Sequence, residues 1–430
     1  MIQRLIDQLS PRVAEADAVR VTDETVTVTV GRETWPAVSR IEGTSWHLRV
    51  QQAGRVGLAG AVDDRIDGLV ERALGSVAVG SPGPLHLPAP APLPAVRTAS
   101  PAAETLGPRD LAALAEQLMD RLGASGRRVE AWAERSAGQV QVGNTRGVLA
   151  GYEVTMVGVG ARVGTAGPQG ACQCEVHHVG VDRPGSADLE RLVGEVDRRL
   201  RPVMVVREAM PPAVVVGLAP RAVAGLLRML DPILTVRARG DRPSAPSPGQ
   251  TESGWSPELT IVDDPLVDGR PGSRPIDDDG VVSRRVTLLQ DGSIRGWRCD
   301  LATGERLGLP STGHAVRTPF AEPRVGPSNT ILLPGAVDAR DLAGLVGDGV
   351  LIMDLPARRT NVHAGQLSCA TPWAFQVVGG EVAGRLPRLT LRDSLFQMFG
   401  RVRAIGRELE WAGAVGAPAL LLDSVVVSAD

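Results

Sequence analysis

Lysine is absent from the 430 residues, and all 46 basic side chains are arginine. A G-x-x-x-x-G-K-[ST] phosphate loop is therefore excluded, because that loop needs its lysine to reach the terminal phosphates. Aromatic residues make up 3% of the chain, too little for base-stacking platforms or an aromatic cage. The four cysteines, Cys172, Cys174, Cys299 and Cys369, build no disulfide framework and include no C-x-x-C pair, which fits a reducing compartment. No apolar run approaches the roughly 20 residues of a membrane-spanning helix. The opening MIQRLIDQLSPRVAE carries Arg4 and Asp7 where a signal peptide needs an unbroken apolar core. The expectation is a soluble, cytoplasmic protein. A net charge of −3 and a pI near 6.1 supply no clustered positive field, so nucleic acid is not expected as a partner. Asparagine occurs only at 144, 329 and 361 while Ala, Gly, Val and Arg abound, the mark of a GC-rich, actinobacterial type of genome.

What remains is enough chain for two cores, since single cores stop growing at roughly 250–300 residues. Ile2, Leu5, Ile6 and Leu9 repeat at helical spacing, and Thr25–Val30 alternates as a strand with one apolar face. Helices are expected over 61–74, over 109–122, and from an N-cap at Ser186 through Leu189, Leu192, Val196 and Leu200. Seven prolines between 82 and 101 exclude helix and central strand from residues 80–107 and predict an extended connector over that range, inside the first domain. Pro220 opens a further helix to Leu230. Beyond it strands dominate, with Asp291-Gly292 as a hairpin turn and one late helix over 393–407. The fold class expected is α+β, with an N-terminal domain (1–208) of helices on mixed sheets and a β-rich C-terminal domain (209–430) with few helices.

Known catalytic patterns mostly fail. There is no G-x-S-x-G elbow, no H-E-x-x-H, and no pair of histidines four apart on a helix. In an extended segment Cys172, Cys174 and His178 share a face, either as zinc-type ligands or as small buried side chains. Asp277-Asp278-Asp279-Gly280 offers carboxylates to a hard cation, or a turn in which they bond local amides.

Three segments in order are similar to the TldD/PmbA family. They are Pro257–Pro265 (PELTIVDDP), Gly272–Val281 (GSRPIDDDGV) and Leu288–Trp297 (LLQDGSIRGW), against a family series of DDP, GS-x-PFDDEGV and L-x-x-G-x-L-x-G. Gly43–Gly60, Asn144–Gly147 and Gly416–Ser424 match further family segments. The resemblance implies a heterodimeric metallopeptidase acting on unfolded peptides within a chamber. Its TldD-type subunit holds zinc through H-E-x-x-x-H plus a distant Cys, and its TldE/PmbA-type subunit lacks that set.

Laying Val214–Ile233 on the family's zinc helix places Arg228, Met229 and Ile233 where His, Glu and His stand, and no Cys lies in Glu410–Pro418. A guanidinium, a thioether and an alkyl group cannot hold Zn²⁺ or activate water. The resemblance therefore implies the TldE/PmbA-like subunit, with no cofactor of its own, zinc in a TldD-like partner, and a peptide as substrate. Asp277, Asp278, Asp279, Gly280, Asn361, Gly365 and Ser368 would line the chamber. Where the family reads TGDFS, this chain keeps Asn361, Gly365 and Ser368 but not the Thr and Asp, which suits a specialised paralogue in a natural-product pathway. The other readings are a stand-alone hydrolase or amide-bond enzyme and a protein-binding modulator, the latter from the family's older association with DNA gyrase.

Overall fold

Strict alternation in the first 180 residues resolves into one sheet. Glu15–Gly31 (β1), Ala37–Gln52 (β2), Arg55–Ala61 (β3), Ser81–Pro82 (β4), Arg127–Asn144 (β5), Leu149–Gly167 (β6) and Gly170–Gly180 (β7) pair in the order β4-β3-β2-β1-β5-β6-β7, antiparallel throughout. The structure, a computed structural model, describes all residues except 32–35, 65, 124–125, 168–169, 202–203, 206–210, 212, 236–253, 357–364 and 430.

Register puts Val28 opposite Ala133 and Ala133 opposite Val159, so one face of the sheet is continuously apolar. Helices cover it. Ile2–Leu9 (α1) and Leu69–Ser76 (α2) pack on Ala16, Ala18, Trp46, Leu48 and Val50 at one end. Pro101–Glu104 (α3), Pro108–Leu122 (α4) and Ser186–Arg199 (α5) cover the other end. Leu111, Leu114, Leu118 and Leu122 of α4 are fully buried, each contributing roughly 1.5–3 kcal/mol. The helix expected from 61 starts only at Leu69, because Arg55–Ala61 is drawn into pairing with β2. At α5 the capping position is Gly185, whose N–H donates to Asp188, and Ser186 is the first helical residue.

The proline-rich segment runs extended along the seam with the C-terminal half as far as Ser100, but inside the expected 80–107 connector Pro101–Glu104 forms α3, because proline is accepted at the first position of a helix. Thr98 Oγ1 donates to the Glu153 carbonyl, Asn144 Nδ2 to the Pro88 carbonyl, and Arg97 N–H to Asp268.

From Ala213 onward two sheets enclose one helix. A six-stranded sheet contains Ile261–Asp263, Val286–Gln290, Ser293–Ile294, Thr330–Leu332, Val415–Ala417 and, at its edge, Glu410–Ala412. An eight-stranded sheet contains Ala213–Leu218 and Leu420–Ala429 at its centre and Gln366–Thr371 at one edge. Pro220–Leu230 (α6) lies between them, with Ala222–Leu227, Met229 and Leu230 all buried. A Cβ on Gly225 would stand 2.2 Å from the Leu355 carbonyl oxygen, so only glycine permits this approach. Asp291 and Gly292, at φ 51° and 71°, make the expected hairpin turn.

The late helix is shorter than its apolar stripe suggests. It spans Leu395–Gly400, and Val402–Ile405 then pairs with the last strand. Pairing with the last strand overrides helical periodicity there, and Gly400 fits closely on the Gly254 carbonyl, 2.2 Å from where a Cβ would sit.

Candidate functional site

Charged residues at inward positions of β1 and β2 fix the seam between the two halves. Asp17, His47 and Arg49 alternate with the apolar residues that face the helices, and so point the other way. The loop around Arg317 meets them. Arg317 reaches Asp17 at 2.6 Å and Asp279 at 2.6 Å, and Arg49 reaches Asp17 at 2.5 Å and Asp279 at 2.9 Å. All four side chains are buried. Against the cost of burial, Arg317 and Arg49 hold both carboxyls below their usual range.

The neighbouring aspartates serve the same turn. Asp277 accepts the N–H groups of Asp279, Val281 and Ala315, and Asp278 accepts that of Arg317. Gly280, at φ 82°, closes the turn. The acidic motif is thus bonded to amides and arginines. Among the described residues no group of three or more His, Cys, Asp or Glu is placed to hold a metal ion.

His47 is 3% exposed, and its Nε2 lies 3.0 Å from the Ala321 carbonyl. Burial, then Arg317, lowers its pKa from 6.5 to about 4, which corresponds to about 3 kcal/mol. Since the folded value is the lower one, this share of stability is complete above pH 6.5 and is lost as pH falls toward 4. Chemical denaturation at stepped pH is expected to show His47→Gln with a shallower loss than the parent over that window; equal slopes would refute it.

A cavity of about 410 Å³ opens at the same seam, where α5 of the first half meets the start of α6 and the edge strand Glu410–Ala412. Five arginines (191, 198, 201, 221 and 340) line it against four carboxylates (Glu195, Asp341, Glu408 and Glu410), over a floor that includes Leu342, Leu351, Met353 and Trp411. Arg221 stands in the first turn of α6, where the helix dipole opposes a cation. It is held there by Glu195 at 3.4 Å and Asp354 at 3.3 Å, both also bridged by the buried Arg199. Burial, then Arg221, lowers the pKa of His177, so this imidazole is neutral at pH 7. Burial pushes the Glu410 carboxyl up, against Arg198 and Arg191. Arg270 stacks 4.3 Å from the centroid of the Trp411 ring.

The residues singled out in the sequence are not brought together here. Arg228 Nη2 donates to the Ala412 carbonyl at 2.6 Å, Met229 is in the core, and Ile233 is in the core beyond the end of α6. With one guanidinium, one thioether and one alkyl group, those positions do not fit Zn²⁺. Gly365, at φ 67°, packs against Phe396, and Ser368 is exposed on the edge strand Gln366–Thr371. Asn361 lies outside the described residues. Cys172 accepts from Arg385 at 2.7 Å, Cys174 is core, and His178 Nδ1 meets Arg191 at 2.7 Å.

The model of the PmbA/TldA metallopeptidase C-terminal domain matches residues 213–429, half of the chain. The chain belongs to the PmbA/TldD family. Within that family it is 27% identical over 187 residues to the metalloprotease TldD homologue of Haemophilus influenzae, covering 40% of this chain and 39% of that one. Against the PmbA homologue of the same organism the figures are 24% over 172 residues, 40% and 36%. The chain thus spans about two fifths of the length of these curated relatives. The fold of TldE from Thermococcus kodakarensis superposes with a TM-score of 0.86 at 19% identity over 99% of both chains. One sequence signal for the seam of this PmbA/TldD protein was present: Arg221 stands in the first turn after Pro220, where an acidic residue suits the helix dipole better.

Proposed function

We propose that this chain is the TldE/PmbA-like, metal-free subunit of a heterodimeric peptidase. It completes a chamber and orients a peptide for a TldD-like partner that supplies zinc. The observation that carries this reading is the start of α6: an ion-paired guanidinium, Arg221, faces a cavity whose single described imidazole, His177, is neutral. Such a wall can bind and orient but gives Zn²⁺ no ligand set. Strand Glu410–Ala412 supports the peptide role, because it lines the cavity at the edge of its sheet and can extend pairing to a substrate backbone. The lost Thr and Asp near Gly365 support a specialised substrate, of the natural-product kind, and the cysteine usage supports a cytoplasmic setting.

Co-expression with a TldD-type subunit from the same genome tests the assignment. A 1:1 complex is expected on size exclusion with light scattering, with one zinc per pair, none on this chain alone, and peptide cleavage only when both chains are present. Stoichiometric zinc and cleavage by the isolated chain would overturn it. No helix of the described residues is long and apolar enough to cross a membrane.

A further inference from the structure

Helix α6 carries one exposed side chain among buried ones. Ala222–Leu227, Met229 and Leu230 are core, whereas Arg228 is exposed, two turns beyond Arg221. Partial burial, then the like charge of Arg221, lower the pKa of Arg228 against Asp231 and Asp354, so charge pairing is not what holds it in place. What it has instead is a charge-assisted hydrogen bond, in which Nη2 donates to the Ala412 carbonyl at 2.6 Å.

Ala412 ends the strand Glu410–Ala412, which is the outermost of its sheet and pairs over three residues with Val415–Ala417, through a turn in which Gly413 takes φ 61°. So short a hairpin has little pairing of its own to fix it. Two arginines from outside its strands hold it. Arg228 bonds the backbone of the last residue, and Arg270 stacks on the Trp411 ring. Glu410, Trp411 and Ala412 line the cavity, whereas Arg228 stands outside its lining and therefore acts on it only through the strand. We propose that Arg228 is a positioning residue, which fixes Glu410–Ala412 at the cavity wall so that its backbone meets a peptide in one register. The guanidinium that makes this position unfit for Zn²⁺ is the group that makes the link. The inference rests on the peptide-handling role proposed above and names the residue that steadies the strand assigned to it.

Hydrogen exchange on the full chain, followed across residues 410–417, tests the link. Arg228→Met keeps the apolar stem and removes every donor, and Arg228→Lys keeps one donor group. The Met variant is expected to exchange at least tenfold faster across that hairpin, with the N-terminal sheet and the thermal midpoint unchanged because the side chain is exposed. The Lys variant should regain most of the protection. In the complex with a TldD-type subunit, Arg228→Met should raise KM for an internally quenched peptide at least threefold with kcat within twofold of the parent, and Arg228→Lys should restore it. Unchanged exchange in the Met variant, or a rise spread evenly over both halves of the chain, would overturn the link. A rise confined to the hairpin with KM unmoved would overturn the positioning role. A parent complex that cleaves nothing would instead sink the partner reading, and the positioning role with it, while exchange still judges the link.

Discussion

Arg317→Met is expected to lower folding stability by about 3–5 kcal/mol, read as a reduced urea midpoint at pH 7. The substitution keeps the volume but strands Asp17 and Asp279 in a buried seam with only Arg49 to share. A buried ion pair contributes little over an apolar replacement, yet removing one partner leaves an uncompensated charge, and that asymmetry sets the size of the effect. Asp17→Asn combined with Arg317→Met should therefore recover part of the loss, and a cycle of the two single variants and the double should show coupling above about 1 kcal/mol. Purely additive effects would mean that the seam is held by its apolar contacts alone.

The same cluster fixes a dependence on pH. Asp17 and Asp279 are held below the usual carboxylate range, so their contribution is present above about pH 4 and is lost on further acidification. Asp277 has the opposite sign. Burial, then the Asp279 charge, pushes it up to about 8, so its share is complete below about pH 4 and fades as pH rises toward 8.

Elements with one strong period were legible in the sequence. Val26, Val28 and Val30 announced a strand with one buried face, the leucines of α4 a helix, Pro220 the start of α6, and Asp291-Gly292 a hairpin. The family motifs were legible as well, but their physical role was not. The three-aspartate run read as chamber-lining chemistry and DDP as a family motif without a stated role, and the structure shows Asp263 and Asp279 in buried networks that join segments distant in sequence. Local spacing could not reveal this, because Asp17 meets Arg317 across 300 residues. The late helix failed for a related reason: Val402 and Ile405 continue the helical stripe of Leu395 and Met398, and only the neighbouring last strand decides that they extend. The cavity was invisible because its walls come from α5, α6 and the edge strand Glu410–Ala412, each unremarkable alone.

Asp263→Ala is the second substitution expected to be severe, at about 3–5 kcal/mol. Asp263 is fully buried and accepts from Arg298 Nε at 2.6 Å, from the Ser328 N–H and hydroxyl, and it lies 2.9 Å from His314 Nε2. Arg298, itself without exposure, also reaches Thr330 at 2.7 Å and Asp231 at 3.2 Å. Truncation leaves that guanidinium with only Asp231 as a charged partner and frees the donors of Ser328 and His314. Asp263→Asn should be milder, because its oxygen still accepts one donor, but its NH₂ must then face Arg298 or His314. Thermal melts of the two variants should rank parent, Asn and Ala in that order. Because Ile261–Asp263 lies between Val286–Gln290 and Thr330–Leu332 in the six-stranded sheet, the damage should travel to the outer strand Glu410–Ala412. Hydrogen exchange would then rise at Trp411 before it rises in the N-terminal sheet. An Ala variant as stable as the parent would show that the DDP aspartate is kept for chemistry and not for the fold.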